Sequence, residues 1–196
     1  MGFESLLAAV DLGSNSFRLQ VGRVVDHQIL PMDSLKETPR IAGGLTPDKM
    51  LDGDAQDRAL TALERFGERL RGFNPDSVRA VGTNTLRVAK NSTQFLQRAE
   101  KALGFPIEII AGREEARLIY LGVAHSLKAS DANRLVVDIG GGSTEFIIGR
   151  EFKPLELESL YMGCVSYSMR FFAGGRIDKS SMKQAELAAR DRKSVV

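Results

Sequence analysis

Val10-Asp11-Leu12-Gly13-Ser14-Asn15-Ser16 opens a frame that this chain writes twice. An alternating run ending Val21-Gly22-Arg23 follows it. Shifted by 127 positions without a gap (Val10 to Val137), the frame recurs as Val137-Asp138-Ile139-Gly140-Gly141-Gly142-Ser143, with a run ending Ile148-Gly149-Arg150. Each copy reads as an apolar strand, an aspartate, a tight turn of small residues and a second strand. Two such units predict two similar half-domains, each offering one carboxylate and one loop of backbone N–H groups. That equipment suits a phosphate chain and its metal ion held in a cleft.

Outward from the first copy, Phe17, Leu19 and Val21 alternate with polar or small residues, as a half-buried strand does. Asp26-His27 reads as a turn and 28–36 as a third strand. Thr46-Pro47 predicts a helix start, with Thr as N-cap and Pro at the first position. A longer helix is expected over 55–71, a strand over 77–82, a short helix over 85–89 and another from an Asn91-Ser92 cap to Leu103, stopped by Gly104. A strand over 107–111 and a helix over 113–127 complete the first half. The polar stretch 129–133 is the expected hinge, which gives domains of 1–128 and 129–196. The second meander is read over 134–139, 144–150 and 153–160, followed by helices through Phe172 and over 179–192. About forty residues follow it, against roughly a hundred after the first, so the second half is expected to be incomplete. The ending Arg192-Lys193-Ser194-Val195-Val196 reads as an arbitrary stop. A compact asymmetric domain is the competing reading.

Bulk composition narrows the function classes. With 196 residues, 43% apolar and 27% charged, the chain has the profile of a globular protein. Its net charge is +2, and from Arg170 onward it carries seven Lys/Arg and three Asp/Glu, leaving the rest slightly acidic. A nucleic-acid protein is therefore not expected. One cysteine, Cys164, rules out an internal disulfide and suits a reducing compartment, and two histidines do not make a zinc site. No secretory signal is read at Met1-Gly2-Phe3-Glu4-Ser5, and Gly2 lacks the context for myristoylation. A cytoplasmic protein is expected, with peripheral membrane association left open.

The chemistry-bearing residues are individually ambiguous. Asp11 and Asp138 end strands beside turns and could be turn formers; their gap-free repetition favours a metal or phosphate role. The turns Gly13-Ser14-Asn15-Ser16 and Gly140-Gly141-Gly142-Ser143-Thr144 could cradle phosphate oxygens or be plain hairpin loops. Neither is a Walker A loop nor a dinucleotide fingerprint. Glu114 and Glu115 could simply complement a helix dipole. Asn84 and Arg87 follow a strand and could bind anions or water. Cys164 is expected to be a packed residue. Where the first copy has Arg18, the second has Glu145; the hypothesis is that Arg18 contacts phosphate and Glu145 serves a metal.

Five blocks together give the chain a resemblance to the exopolyphosphatase / guanosine pentaphosphate phosphohydrolase (Ppx/GppA) family. They are Ala9–Leu19, Gly82-Thr83-Asn84-Thr85-Leu86-Arg87, Ile110–Tyr120 with its Glu114-Glu115-Ala116-Arg117-Leu118 core, Val137–Glu145, and Gly163-Cys164-Val165. The resemblance implies an α/β fold of ribonuclease-H-like halves, as in the actin–hexokinase ATPase superfamily, with the second half incomplete. It implies hydrolysis of a terminal phosphoanhydride of inorganic polyphosphate or guanosine pentaphosphate, with Mg²⁺. Glu115 would be the general base, Asp138 and Glu145 the metal ligands, and Asp11 would face them. Arg87, Asn84, Arg18 and the two turns would hold phosphates. A homodimer is implied for the full-length protein. Family members are longer, so unpaired strand edges and weak or absent activity are expected of this chain alone. A non-catalytic polyphosphate- or alarmone-binding module and a kinase of the same superfamily are the alternatives.

Overall fold

The computed structural model describes residues 5–26 and 28–191. The readings placed on Gly2, His27 and residues 192–196 fall outside them.

The described residues cluster into two compact units that part between Ile109 and Ile110. The first begins with the meander: β1 (Ser5–Leu12), β2 (Phe17–Val25) and β3 (Gln28–Glu37). Two parallel strands, β4 (Val78–Gly82) and β5 (Ile107–Ile109), extend it, giving the order β3-β2-β1-β4-β5. Helix α1 (Gly53–Arg69) starts where the Asp52 carboxylate accepts the Ala55 N–H at 2.7 Å, a side-chain N-cap. The short α2 (Asn84–Val88) follows β4, and α3 (Ser92–Leu103) ends at Gly104 in the left-handed region. Period-2 residues Ala8, Val10 and Leu12 on β1 and Phe17, Leu19 and Val21 on β2 form one core with Ala59, Leu63 and Phe66 of α1 and Phe95, Ala99 and Leu103 of α3. Strand and helix periodicities thus converge on a single buried face.

Two local expectations fail here, the second in part. No helix starts at Thr46-Pro47. Residues 46–50 instead make a tight turn closed by a Leu45–Leu51 bridge, with Thr46 Oγ1 accepting the Met50 N–H and Lys49 at φ 63. The segment is too short to nucleate a helix before Asp52 supplies a better cap. Asn91 occupies the N-cap position of α3 as expected, but its side chain does not cap the helix; its amide bonds both backbone groups of Leu51, each at 2.9 Å.

The second unit opens with α4 (Gly112–Ser126) and the meander β6 (Asn133–Ile139), β7 (Thr144–Arg150) and β8 (Lys153–Leu160), in the order β6-β7-β8. Helices α5 (Cys164–Phe171) and α6 (Lys179–Arg190) follow. The boundary expected at 128/129 falls at 109/110 because α4 belongs with the second meander. Its Ala116, Tyr120 and Ala124, spaced four apart, pack against Val136, Ile147 and Leu157. A Cβ on Gly149 would lie 2.2 Å from the Tyr120 ring, so the bare glycine is what seats the helix. The meanders match down to a bulge at the same place, between Val21 and Gly22 in one and Ile148 and Gly149 in the other.

Candidate phosphate-handling site

In the first unit, parallel pairing of β1 with β4 sets Asp11 beside Val81 and Leu12 beside Gly82. The Gly13–Ser16 turn and the Thr83–Arg87 segment therefore leave the carboxyl ends of neighbouring parallel strands, the position where open α/β sheets bind ligands. A hydrogen-bond latch joins them: Thr85 donates its hydroxyl to Ser14 Oγ at 2.8 Å, and its N–H to the same oxygen at 3.3 Å. Ser14 is buried by this and keeps its own hydroxyl proton to donate. Asn84 is 7% exposed, and its Nδ2 has no hydrogen-bond partner among the described residues. A buried amide without an acceptor is costly, so it calls for a water or a bound group to accept from it. Arg87 lies three residues on, half-buried. Arg18 pairs with Asp11 across β1 and β2, and both are exposed. Asp11, Gly13, Ser14, Asn15, Ser16, Arg18, Asn84 and Arg87 thus gather at one end of one sheet.

The second unit repeats the turn with different surroundings. Gly140 N–H donates to the Ser143 carbonyl at 2.9 Å. A Cβ on Gly140 would meet that carbonyl at 3.1 Å, as one on Gly13 would meet the Ser16 carbonyl at 2.8 Å. The turn's carbonyls point the other way, toward α5: Gly140 accepts from Cys164, and Gly141 from Val165 and Ser166, at 2.9–3.1 Å. Gly163 sits on Gly141 so closely that a Cβ would come within 2.4 Å of its backbone. The Thr144 hydroxyl donates to the Met162 carbonyl, and Ser143 and Thr144 are buried. Gly142 is buried too. Cys164, expected to be packed, is exposed at the start of α5; its backbone, rather than its sulfur, is what the turn uses.

Asp138 and Glu145 are register partners on β6 and β7. Glu145 is 1% exposed, and Ser159 on β8 donates its hydroxyl to Glu145 Oε1 at 2.7 Å. The sheet face that carries Asp138, Glu145 and Ile147 is the face α4 covers. Along α4, Tyr120 meets Gly149 and Glu151, and His125 stacks on Phe152 at 4.6 Å. The helix therefore advances in the same sense as β7, and its first turn, with Glu115, lies toward Glu145. Glu114 is engaged with Arg117 by two bonds of 2.7 Å, and this pairing raises the Arg117 pKa. Glu115 is half-buried one residue from the packed stripe.

Among the described residues no group of three or more His, Cys, Asp or Glu side chains could hold a metal ion. Two neighbouring carboxylates nonetheless fit Mg²⁺, which takes one or two carboxylates and completes its shell with water and substrate phosphate. Thr85 and Ser159 are the supporting residues that sequence reasoning passed over. Ser159 is reached only through the β7–β8 register, which places a hydroxyl directly opposite Glu145.

The model of the Ppx/GppA phosphatase family matches residues 20–195. A Haemophilus influenzae protein named "Putative exopolyphosphatase" is 45% identical over 183 residues, which are 93% of this chain and 56% of that protein. The crystal structure of an exopolyphosphatase-like protein has a TM-score of 0.90 at 27% identity, over 97% of this chain and 60% of that one. An exopolyphosphatase from Cytophaga hutchinsonii scores 0.85 at 29% identity, over 92% of this chain and 58% of that one. This chain therefore spans a little over half the length of these relatives.

Proposed function

Because this chain belongs to the Ppx/GppA phosphatase family, and takes its fold of ribonuclease-H-like halves, we propose that it serves hydrolysis of the terminal phosphoanhydride of inorganic polyphosphate or guanosine pentaphosphate. The observation that carries this reading is the buried Asn84 amide, its Nδ2 without a partner among the described residues, beside the latched Ser14 turn at the end of β1 and β4.

In this scheme the Gly13–Ser16 turn, Arg18, Asn84 and Arg87 hold phosphate oxygens on the first unit, with Asp11 at their edge. Taken by itself, the second unit offers phosphate oxygens the backbone of the Gly141–Thr144 part of its turn, the Gly140 N–H being held by the Ser143 carbonyl. Asp138 and Glu145 would hold Mg²⁺, which supplies charge neutralisation at phosphate oxygens when bound. Glu115 orients an attacking water and accepts its proton, while Glu114, tied to Arg117, is unsuited to that task. Ser159 fixes the Glu145 carboxylate by donating to one oxygen. Phosphoryl transfer asks chiefly for positioning and charge stabilisation, which these groups provide without a covalent nucleophile.

A second reading, a polyphosphate- or alarmone-binding module without turnover, is favoured by the bare outer face of β6, where Leu135 and Ile139 are 66% and 69% exposed. One assay separates the two. Orthophosphate release from both substrates is measured with and without Mg²⁺ for wild type and Glu115→Gln. The hydrolase reading expects Mg²⁺-dependent release that falls at least about 100-fold in the variant, the scale of general-base loss. Release by neither protein, with anion binding intact in both, establishes the binding module instead.

A further inference from the structure

The internal repeat continues past the strands into the loop that follows them. Phe17 pairs with Glu37 as Thr144 pairs with Leu160, and Arg18 pairs with Lys36 as Glu145 pairs with Ser159. Beyond the strands, the Ala42 N–H donates to the Ser14 carbonyl at 2.9 Å, and the Val165 N–H donates to the Gly141 carbonyl at 2.9 Å. Ser14 and Gly141 are counterparts in the repeated frame, so Ala42 answers to Val165 and Arg40 to Gly163. Three matched positions therefore read Arg18, Lys36 and Arg40 in the first copy and Glu145, Ser159 and Gly163 in the second.

Arg18 stands between Asp11 on β1 and Lys36 on β3 in one cross-strand row, so Lys36, on the edge strand, is the cation that faces a like charge with no carboxylate opposite it. Arg40 has φ 51 and ψ 51, a left-handed backbone that an arginine adopts at a cost and that concentrates at functional positions. Its surroundings leave it no alternative. The Arg40 N–H donates to the Asn15 carbonyl and its own carbonyl accepts from Gly43, both at 3.0 Å. Arg58 holds the Pro39 carbonyl at 2.9 Å, and Ile41 is fully buried. At the matched position of the second copy Gly163 has φ −119 and its N–H donates to Ser166 Oγ instead of to the turn, so the left-handed backbone belongs to the first copy alone. All three side chains are exposed, and none makes an ion pair among the described residues.

We infer that Arg18, Lys36 and Arg40 form a cationic edge that binds successive phosphates of a linear inorganic polyphosphate running past the Ser14 turn. The inference rests on the proposed function and adds Lys36 and Arg40 to its binding residues. A bound polyanion relieves the Arg18–Lys36 repulsion and gives the strained Arg40 its purpose. The row holds no aromatic side chain on which a nucleobase could stack, and this favours the inorganic chain over the nucleotide.

The test is equilibrium binding of long-chain inorganic polyphosphate to the 196-residue chain without metal, at several salt concentrations. Lys36→Gln and Arg40→Gln should each weaken binding about fivefold or more and lower the salt slope by about one. Arg190→Gln, an equal charge change on exposed α6, should shift affinity less than about twofold. Arg40→Gly should lose affinity without a fall in melting temperature, a separation that a merely structural residue would not produce. Wild type that does not bind the chain, or Lys36 and Arg40 variants indistinguishable from Arg190→Gln, overturns the edge. So does guanosine pentaphosphate affinity falling in those variants while the inorganic chain's does not. Polyphosphate binding without phosphate release sinks the hydrolase reading and leaves the edge standing. Release with unaltered variant affinities does the reverse.

Discussion

At the scale of single residues, the two copies differ by a few substitutions at matched positions, and those decide what each turn can do. Glu145 can be buried because Ser159 donates to it; its counterpart Arg18 stays exposed opposite Lys36. Gly163 shows how tightly the second turn is built. Its missing side chain lets the start of α5 lie on Gly141, where Val165 and Ser166 hold the turn's carbonyl. Gly163→Ala forces a Cβ against backbone that cannot swing aside. It should destabilise the second unit by about 1–3 kcal/mol, the usual range for overpacking. Thermal unfolding followed by hydrogen exchange at residues 140–145 checks this: protection there should fall in the variant and stay level in β1–β2.

At the scale of elements, β3 is an edge strand with little core of its own, and its hold on α1 is ionic. Arg65 reaches Glu37 at 2.8 Å and Arg69 reaches Asp33 at 2.5 Å. The bond from Arg69 holds the Asp33 carboxyl below the usual carboxylate range. A depressed folded-state pKa contributes stability above the unfolded value, near 4, and loses it as pH falls through the folded one. Arg69→Gln removes that dependence. Between about pH 5 and pH 2 the wild-type melting temperature should therefore drop more steeply than the variant's. The effect is small, since both side chains are solvent-exposed; parallel curves would show that the pair is not coupled to folding. Helix α4 is held differently, by the apolar stripe Ala116, Tyr120 and Ala124 and the Tyr120 hydroxyl bonded to the Glu151 carbonyl.

At the scale of the whole molecule, the two sheets are covered on opposite faces. In the first unit Ala8, Val10 and Leu12 are buried with α1 and α3. Their counterparts in the repeat, Leu135, Val137 and Ile139, are 66%, 43% and 69% exposed, and β6 is the edge of its sheet. An apolar, unpaired edge is a template for association. The chain should self-associate in a concentration-dependent way, and Leu135→Lys should shift it toward monomer with unchanged far-ultraviolet circular dichroism. Sedimentation across a concentration series reads this; wild type that stays monomeric at high concentration rules it out.

The sequence by itself determined the strands, the paired aspartates and the two turns. Period-2 apolar runs and small-residue turns are local signals, and a gap-free repeat makes them legible twice. It also placed Glu145 against Arg18, since a repeat compares positions directly. It misread Thr46-Pro47 and the side chain of Asn91, where a cap signal competes with partners distant in sequence. It put the domain boundary after α4 because a polar stretch looks like a hinge, whereas packing assigns a helix to the sheet that buries its stripe. Only the tertiary structure decided which face each sheet covers, that Thr85 latches Ser14 and leaves Asn84 unsatisfied, and that Ser159 stands over Glu145. These are contacts between residues separated by 14 to 71 positions, and no local pattern encodes the register that brings them together.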